Sequence, residues 1–484
     1  MAIKKMAAPI LAFIFLLFFL LTNEVMGSKY SPEGLYDPEY FILDNGMGVV
    51  LKKRDVTHNV SIRLVVNVGM NDFPCGAQEL PHFLEHLLFT GTSKHTESEL
   101  ENLIKDHGGS WNAFTMSEKT IYDIDIYSPN ALFALDILYE IITDSQITPE
   151  NVELTRDIIH REMGGKPSAV TKWLYRHGIF RDAFTNAELG LFPNSNLICP
   201  NLETAEGITR KEIMDIYKKY YVPNNMALII VGEFEEDALV RKIKTSFGAL
   251  EPKPLRKDRS NVPANFDEGP SEFTGTLSPL VDSDGAVGII IKTDGFLSPD
   301  YYTLSVIENY LNTRIYEKLR IDRGLSYTAR AAQVSQTQYG TFYVTCDTDF
   351  SDMDLALRLL RDEVDDLKNA KFNVTDITKA KQKILLSSAQ GLETNSDIAG
   401  YYSSSLHELT IFGALIDEED RIERITEADV RDVAARYFKD QRIALIKSRP
   451  LLTYTQFYIL VGCLFLMAVF ISWRVIRKLR KHLR

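Results

Sequence analysis

One short run, His82-Phe83-Leu84-Glu85-His86, sets two imidazoles and a carboxylate at helical spacing inside an apolar stretch. On an α-helix His82 and His86 share a face, with Glu85 close beside them. The neighbours Phe83, Leu84, Leu87, Leu88 and Phe89 are apolar, so the helix expected here lies largely within a core. Polar side chains carried into a core need partners, because an unpaired buried polar group is costly. Any fold of this chain must therefore bring something to meet that helix. Two imidazoles four residues apart can hold Zn²⁺, and the carboxylate beside them can reach a water at the ion. A surface helix with two solvated histidines is the plain alternative, and the apolar flanks weaken it.

The chain has 484 residues, enough for two or three domains, and its 45% hydrophobic and 25% charged residues are ordinary for a globular protein. A net charge of -12 and a pI near 5.4, with no strong basic run away from the termini, argue against a nucleic-acid partner. Cys75, Cys199, Cys346 and Cys463 have the spacing of neither a metal site nor a disulfide framework. Cys463 lies in an apolar tract, which keeps it from an ordinary bridge.

Both ends point to a membrane. Residues 1–27 carry Lys4 and Lys5 ahead of a nearly continuous apolar stretch, the pattern of a signal peptide or an N-terminal anchor. Residues 455–473 are long and apolar enough for a transmembrane helix. Arg474, Arg477, Lys478, Arg480, Lys481 and Arg484 follow, so residues 474–484 read as a basic cytoplasmic tail. The expected location is the membrane, through a single C-terminal span. The body then lies outside the cytoplasm, in the periplasm if the host is a Gram-negative bacterium.

Between the ends the chain reads as two α/β halves. Residues 40–250 hold the histidine helix, and 251–270 form a polar, proline-rich linker. Residues 271–447 repeat the alternation of strands and helices. In the first half Asn45-Gly46 signals a hairpin, Val60 to Val68 a central strand, and Thr96 with Glu99 a capping box. Two strands flank Met116 to Lys119. A helix after Pro129 is expected to face inward through Leu132, Leu135, Leu138, Tyr139 and Ile142.

Several separated stretches occur together in one order. They are Glu79 to His86, Gly91-Thr92, Gly108 to Thr115, Glu162, Tyr221 to Asn225, and Arg320 with Tyr327. In this the chain resembles the M16, pitrilysin-like zinc metallopeptidases, the inverzincins of the H-x-x-E-H order, from about residue 40 to 447. The resemblance implies an α+β fold of two homologous mixed α/β domains, joined here to the C-terminal transmembrane helix. Residues 40–250 would be the zinc-binding catalytic domain. It also implies one zinc per chain held by His82, His86 and Glu162, the last 76 residues after His86. Glu85 would be the catalytic base of a membrane-anchored endopeptidase acting on peptides or small unfolded polypeptides.

Further roles follow from the same resemblance. Arg320 and Tyr327 match a pair through which the second domain assists catalysis, and their plain reading is structural. Asn112, Ala113, Phe114 and Thr115 match an edge strand on which an extended peptide can pair. Trp111 and Phe114 could line side-chain pockets there, or face the core. The chain departs from the family at Thr155, where a second glutamate usually stands seven residues before the ligand. It resembles the short, single-half members, which pair as homodimers or with a related M16-like subunit. The alternative from another class is a non-catalytic partner or scaffold subunit, against which the complete motif speaks.

Overall fold

The computed structural model describes residues 30–192, 199, 201–202, 205–255, 271–277 and 281–482. Residues 1–27 and most of the 251–270 linker lie outside them. The first domain is built on a six-stranded sheet in the order β1-β2-β6-β3-β5-β4. Its strands are β1 (Glu39–Ile42), β2 (Gly48–Lys53), β3 (Asn59–Val66), β4 (Ser110–Thr115), β5 (Thr120–Tyr127) and β6 (Met226–Gly232). Only β2 and β6 pair in parallel. The helices are α1 (Leu80–Leu87), α2 (Glu97–Asp106), α3 (Ala131–Asp144), α4 (Pro149–Glu162), α5 (Ala169–Arg176), α6 (Ala183–Leu191), α7 (Arg210–Tyr220) and α8 (Glu236–Thr245).

The second domain holds a five-stranded sheet in the order β7-β11-β8-β10-β9. Its strands are β7 (Ser271–Thr276), β8 (Asp284–Asp294), β9 (Arg330–Ser335), β10 (Tyr339–Asp349) and β11 (Ile443–Arg449). Again one pair, β7 with β11, is parallel and the rest antiparallel. Removing β1 from the first sheet leaves the same order and the same single parallel pair, so the two domains repeat one architecture. The helices here are α9 (Tyr301–Ile315), α10 (Met353–Lys368), α11 (Val374–Gln390), α12 (Asn395–Phe412), α13 (Glu418–Arg424) and α14 (Glu427–Tyr437).

Strand β6, Met-Ala-Leu-Ile-Ile-Val-Gly, is buried along its whole length. A strand apolar at every position must be covered on both faces. Successive side chains alternate, so Met226, Leu228 and Ile230 join the core beneath the first domain's own helices. Ala227, Ile229 and Val231 face the opposite way and meet Ile398, Ala399, Tyr402, Leu406 and Leu409 of α12. That helix belongs to the second domain. Each valine, leucine or isoleucine among them, once buried, contributes about 1.5–3 kcal/mol. Polar residues of the same sheet face also find partners on α12. Arg63 donates to the Ser396 hydroxyl at 2.8 Å, and the Asn395 amide donates to the Asn59 carbonyl at 3.0 Å.

The reverse contact also exists. Helix α6 of the first domain lies on the second sheet, where Ala183, Ala187 and Leu191 pack with Ile290, Ala444 and Ile446. The approach is close enough that a Cβ on Gly275 of β7 would stand 2.1 Å from the Ala183 nitrogen, so this position requires glycine. Each domain lends a helix to the other's sheet.

Two expectations are corrected. The sequence gives no sign of a disulfide framework, yet Cys75 and Cys199 are bonded, with Cα atoms 5.4 Å apart across a separation of 124 residues. A pair that distant in sequence is joined only by the fold. Leu132 is exposed, not inward, because α3 buries the stripe through Ala131, Ala134, Leu135 and Leu138, to which Leu132 does not belong. The histidine helix is short, Leu80–Leu87. Finally, α15 (Tyr454–His482) is one helix, exposed from Tyr454 to Arg480. Its segment Tyr454–Arg480 is long and apolar enough to cross a membrane.

Candidate metal centre

Helix α1 begins at Leu80 with Pro81 in its first turn, where a missing N–H costs nothing. Leu80, Phe83, Leu84 and Leu87 bury its apolar face. It packs on α4, α7 and β4. The face left over carries His82, Glu85 and His86, all half-buried. Helix α4 starts at the Thr148 cap and Pro149, buries Val152, Thr155 and Ile159, and delivers Glu162 in its last turn.

These elements bring the three expected ligands together. The Nε2 atoms of His82 and His86 are 3.1 Å apart, and Glu162 Oε2 lies 3.3 Å from the first and 3.5 Å from the second. Around a tetrahedral zinc with bonds near 2.1 Å, donor atoms stand about 3.4 Å from one another. The donor set and its spacing therefore fit that ion.

The electrostatics follow from the crowding. Burial alone would push the His82 pKa down, but the Glu79 hydrogen bond and the charges of Glu85, Glu79 and Glu162 outweigh it and raise it. Among the described residues Glu85 makes no hydrogen bond or ion pair, so its carboxylate is uncommitted. Behind it the Tyr122 and Tyr221 hydroxyls bond to each other at 2.7 Å. Both phenols are pushed well upward, mainly by burial and in part by the Glu85 charge, so they remain neutral.

Asn112, Ala113, Phe114 and Thr115 lie on β4, the outermost strand of the first sheet, and β4 touches α1. Ala113 is buried, while Asn112 and Phe114 are exposed. Trp111 is half-buried, stacks edge-on against Phe89 and donates to Glu101 at 2.6 Å. Together with Asn112 these residues line an open cavity of about 620 Å³ next to the metal helix.

Arg320 and Tyr327 are brought to each other: the guanidinium sits 3.8 Å from the ring centroid. Tyr327 is 78% exposed, and Arg320 lies in a π-helical turn, Tyr316–Ile321. Among the described residues neither is hydrogen-bonded or ion-paired to the histidine–glutamate cluster. Thr155 is fully buried, and its hydroxyl has no hydrogen-bond partner among the described residues.

Two features of this site escaped the sequence reading. One is the disulfide at Cys75, five residues before α1. The other is Glu79, whose Oε2 lies 2.8 Å from His82 Nδ1. A carboxylate one turn before a candidate ligand was the available signal.

Known proteins share this fold. Residues 48–191 match the insulinase (peptidase family M16) domain family, and residues 207–384 match the peptidase M16 inactive domain family. The probable mitochondrial-processing peptidase subunit beta of Arabidopsis thaliana is 24% identical over 429 residues, covering 84% of this chain and 78% of that protein. An uncharacterised zinc protease of Streptomyces coelicolor is 25% identical over 413 residues, covering 81% and 85% respectively. The crystal structure of a protease from Helicobacter pylori superposes with a TM-score of 0.71 at 19% identity, covering 86% of this chain and all of that one. With both domain families matched in order and the candidate ligands His82, His86 and Glu162 brought together, the chain belongs to the M16 family of zinc metallopeptidases.

Proposed function

We propose that this chain is a membrane-anchored zinc endopeptidase that hydrolyses peptides or small unfolded polypeptides. The observation that carries the reading is the set of His82, His86 and Glu162 donor atoms, all within 4.8 Å of one another. Zinc held by these residues would supply Lewis acidity toward an attacking water and the scissile carbonyl. Glu85 takes the proton from that water and passes it to the leaving amine, a role its uncommitted carboxylate suits. The free edge of β4 at Asn112 to Thr115 pairs with an extended substrate, and backbone pairing tolerates many sequences. Arg320 and Tyr327 donate to the substrate carbonyl and backbone across the cleft between the domains.

The first domain, residues 40–250, is the catalytic one in this reading, and residues 271–447 form its partner domain. The anchor is the helix through residues 455–473, with the basic tail in the cytoplasm. Its support is that the helical segment Tyr454–Arg480 is long and apolar enough to cross a membrane. The Cys75–Cys199 disulfide supports a body in an oxidising, extracytoplasmic compartment. The reading includes pairing with a second copy or a related M16-like subunit, which the mass of the detergent-solubilised assembly tests.

The central test uses the purified full-length chain. It should carry one zinc per chain and cleave unstructured peptides, and a chelator should abolish the cleavage. His82→Ala should lose both metal and activity. Cleavage that persists after the metal is stripped would refute the assignment.

A further inference from the structure

The strongest unassigned feature is the side chain of Glu79. It occupies the N-cap position of α1, and its carbonyl accepts the Phe83 N–H at 2.9 Å, the first bond of the helix. An acidic residue there ordinarily turns its carboxylate onto the N–H of the second or third helical residue. Here the second helical residue is Pro81, which has no N–H, and Glu79 makes no side-chain cap bond. The carboxylate instead lies 2.8 Å from His82 Nδ1, with only 12% of its side chain exposed.

That contact fixes the imidazole. Nδ1–H donates to Glu79, which leaves the Nε2 lone pair directed at Glu162 Oε2, 3.3 Å away, and at His86. Among the described residues no other side chain is joined to the outer nitrogen of either imidazole. The backbone carrying Glu79 is itself held. Ala77 donates to the Pro74 carbonyl at 3.0 Å and Leu80 to the Ala77 carbonyl at 3.1 Å. Cys75 is tied to Cys199.

We infer that Glu79 is a positioning residue of the metal centre. It holds His82 in the tautomer and orientation that present Nε2 to the ion. The inference rests on the zinc-site reading above. Outer hydrogen bonds of this kind are typically worth about 10- to 100-fold in metal affinity or activity.

The test measures zinc affinity of the full-length chain by competition with a chromogenic chelator, and the visible spectrum of the cobalt-substituted protein. Glu79→Ala should weaken zinc binding by roughly 10- to 100-fold and shift the cobalt bands. The melting temperature of the metal-free protein should stay that of the parent. Glu79→Gln keeps an acceptor for Nδ1–H without the charge, so its affinity should fall between the two. Glu79→Ala with parental zinc affinity and an unmoved cobalt spectrum overturns the inference and leaves the metal site standing. A parent chain that takes up no zinc overturns the site itself, and Glu79's role with it.

Discussion

The Lys119 ammonium donates to the Ser403 carbonyl at 2.7 Å, joining the β4–β5 hairpin of the first domain to helix α12 of the second. Burial pushes the Lys119 pKa down to about 8, with Glu118 opposing. In the unfolded chain the group titrates at its ordinary value of 10.5. Between these values the unfolded chain retains a proton that the folded chain has lost, so this group makes stability rise with pH. Below pH 8 both states are charged and the contribution is constant. The melting-temperature difference between the parent and Lys119→Met should therefore shift in favour of the parent from pH 8 to pH 10. Parallel curves for the two proteins would contradict the shift.

Glu85→Gln separates metal binding from chemistry. The amide keeps the shape of the side chain and leaves all three ligands in place. Zinc content should remain at the parental level while peptide turnover falls roughly 10²- to 10⁴-fold. Turnover within about threefold of the parent would remove Glu85 from the role of base.

Arg320→Ala and Tyr327→Phe probe the second domain. Tyr327 is exposed and Arg320 half-buried, and a cation–π contact open to solvent is worth only about 0.5–1 kcal/mol, so the melting temperature should hardly move. Catalytic efficiency should nonetheless drop roughly 10- to 1,000-fold in each variant. Unchanged efficiency in the double variant would make the pair structural only.

Thiol counting addresses the disulfide. Denatured but unreduced protein should show two reactive thiols, Cys346 and Cys463, and four after reduction. Closing a loop of 124 residues restricts the unfolded chain by roughly 5 kcal/mol in the chain-entropy account. Reduction should therefore lower the melting temperature by several degrees, and Cys75→Ser should do the same in the absence of reductant. Four thiols in the unreduced protein would rule the bond out.

Much of this was legible in the residues. Glu427 to Tyr437 and Met353 to Leu367 show a clear helical stripe, and both are helices with those bounds to within one residue. Thr96 and Glu99 form the reciprocal cap that their spacing announces. The ligand helix α1 was evident from its apolar flanks.

Helix α12 was not, although Thr394 and Asp397 also form a capping box. It buries Asn395, Ser403, Ser405 and Glu408 beside its apolar residues, and Asn395 finds partners at the sheet in Arg54 and Asn59. A helix whose hidden face is partly polar loses the contrast that periodicity detects. Strand β7, Ser-Glu-Phe-Thr-Gly-Thr, is similarly quiet, since it sits at a sheet edge and keeps glycine where α6 presses on it. The role of Glu79 needed the rotamer as well as the spacing.

The exchange of helices between the two sheets sets a schedule for biosynthesis. The first sheet is complete in the nascent chain once Gly232 has emerged, but α12, which must cover its outer face, begins about 160 residues later. At ordinary elongation speeds of ~5–20 residues per second, that face waits roughly ten to thirty seconds for its cover. Ala227, Ile229, Val231, Val50 and Val65 are bare during that interval. The newborn first half is thus a client for a chaperone, and a chain truncated before Asn395 is left permanently in that state.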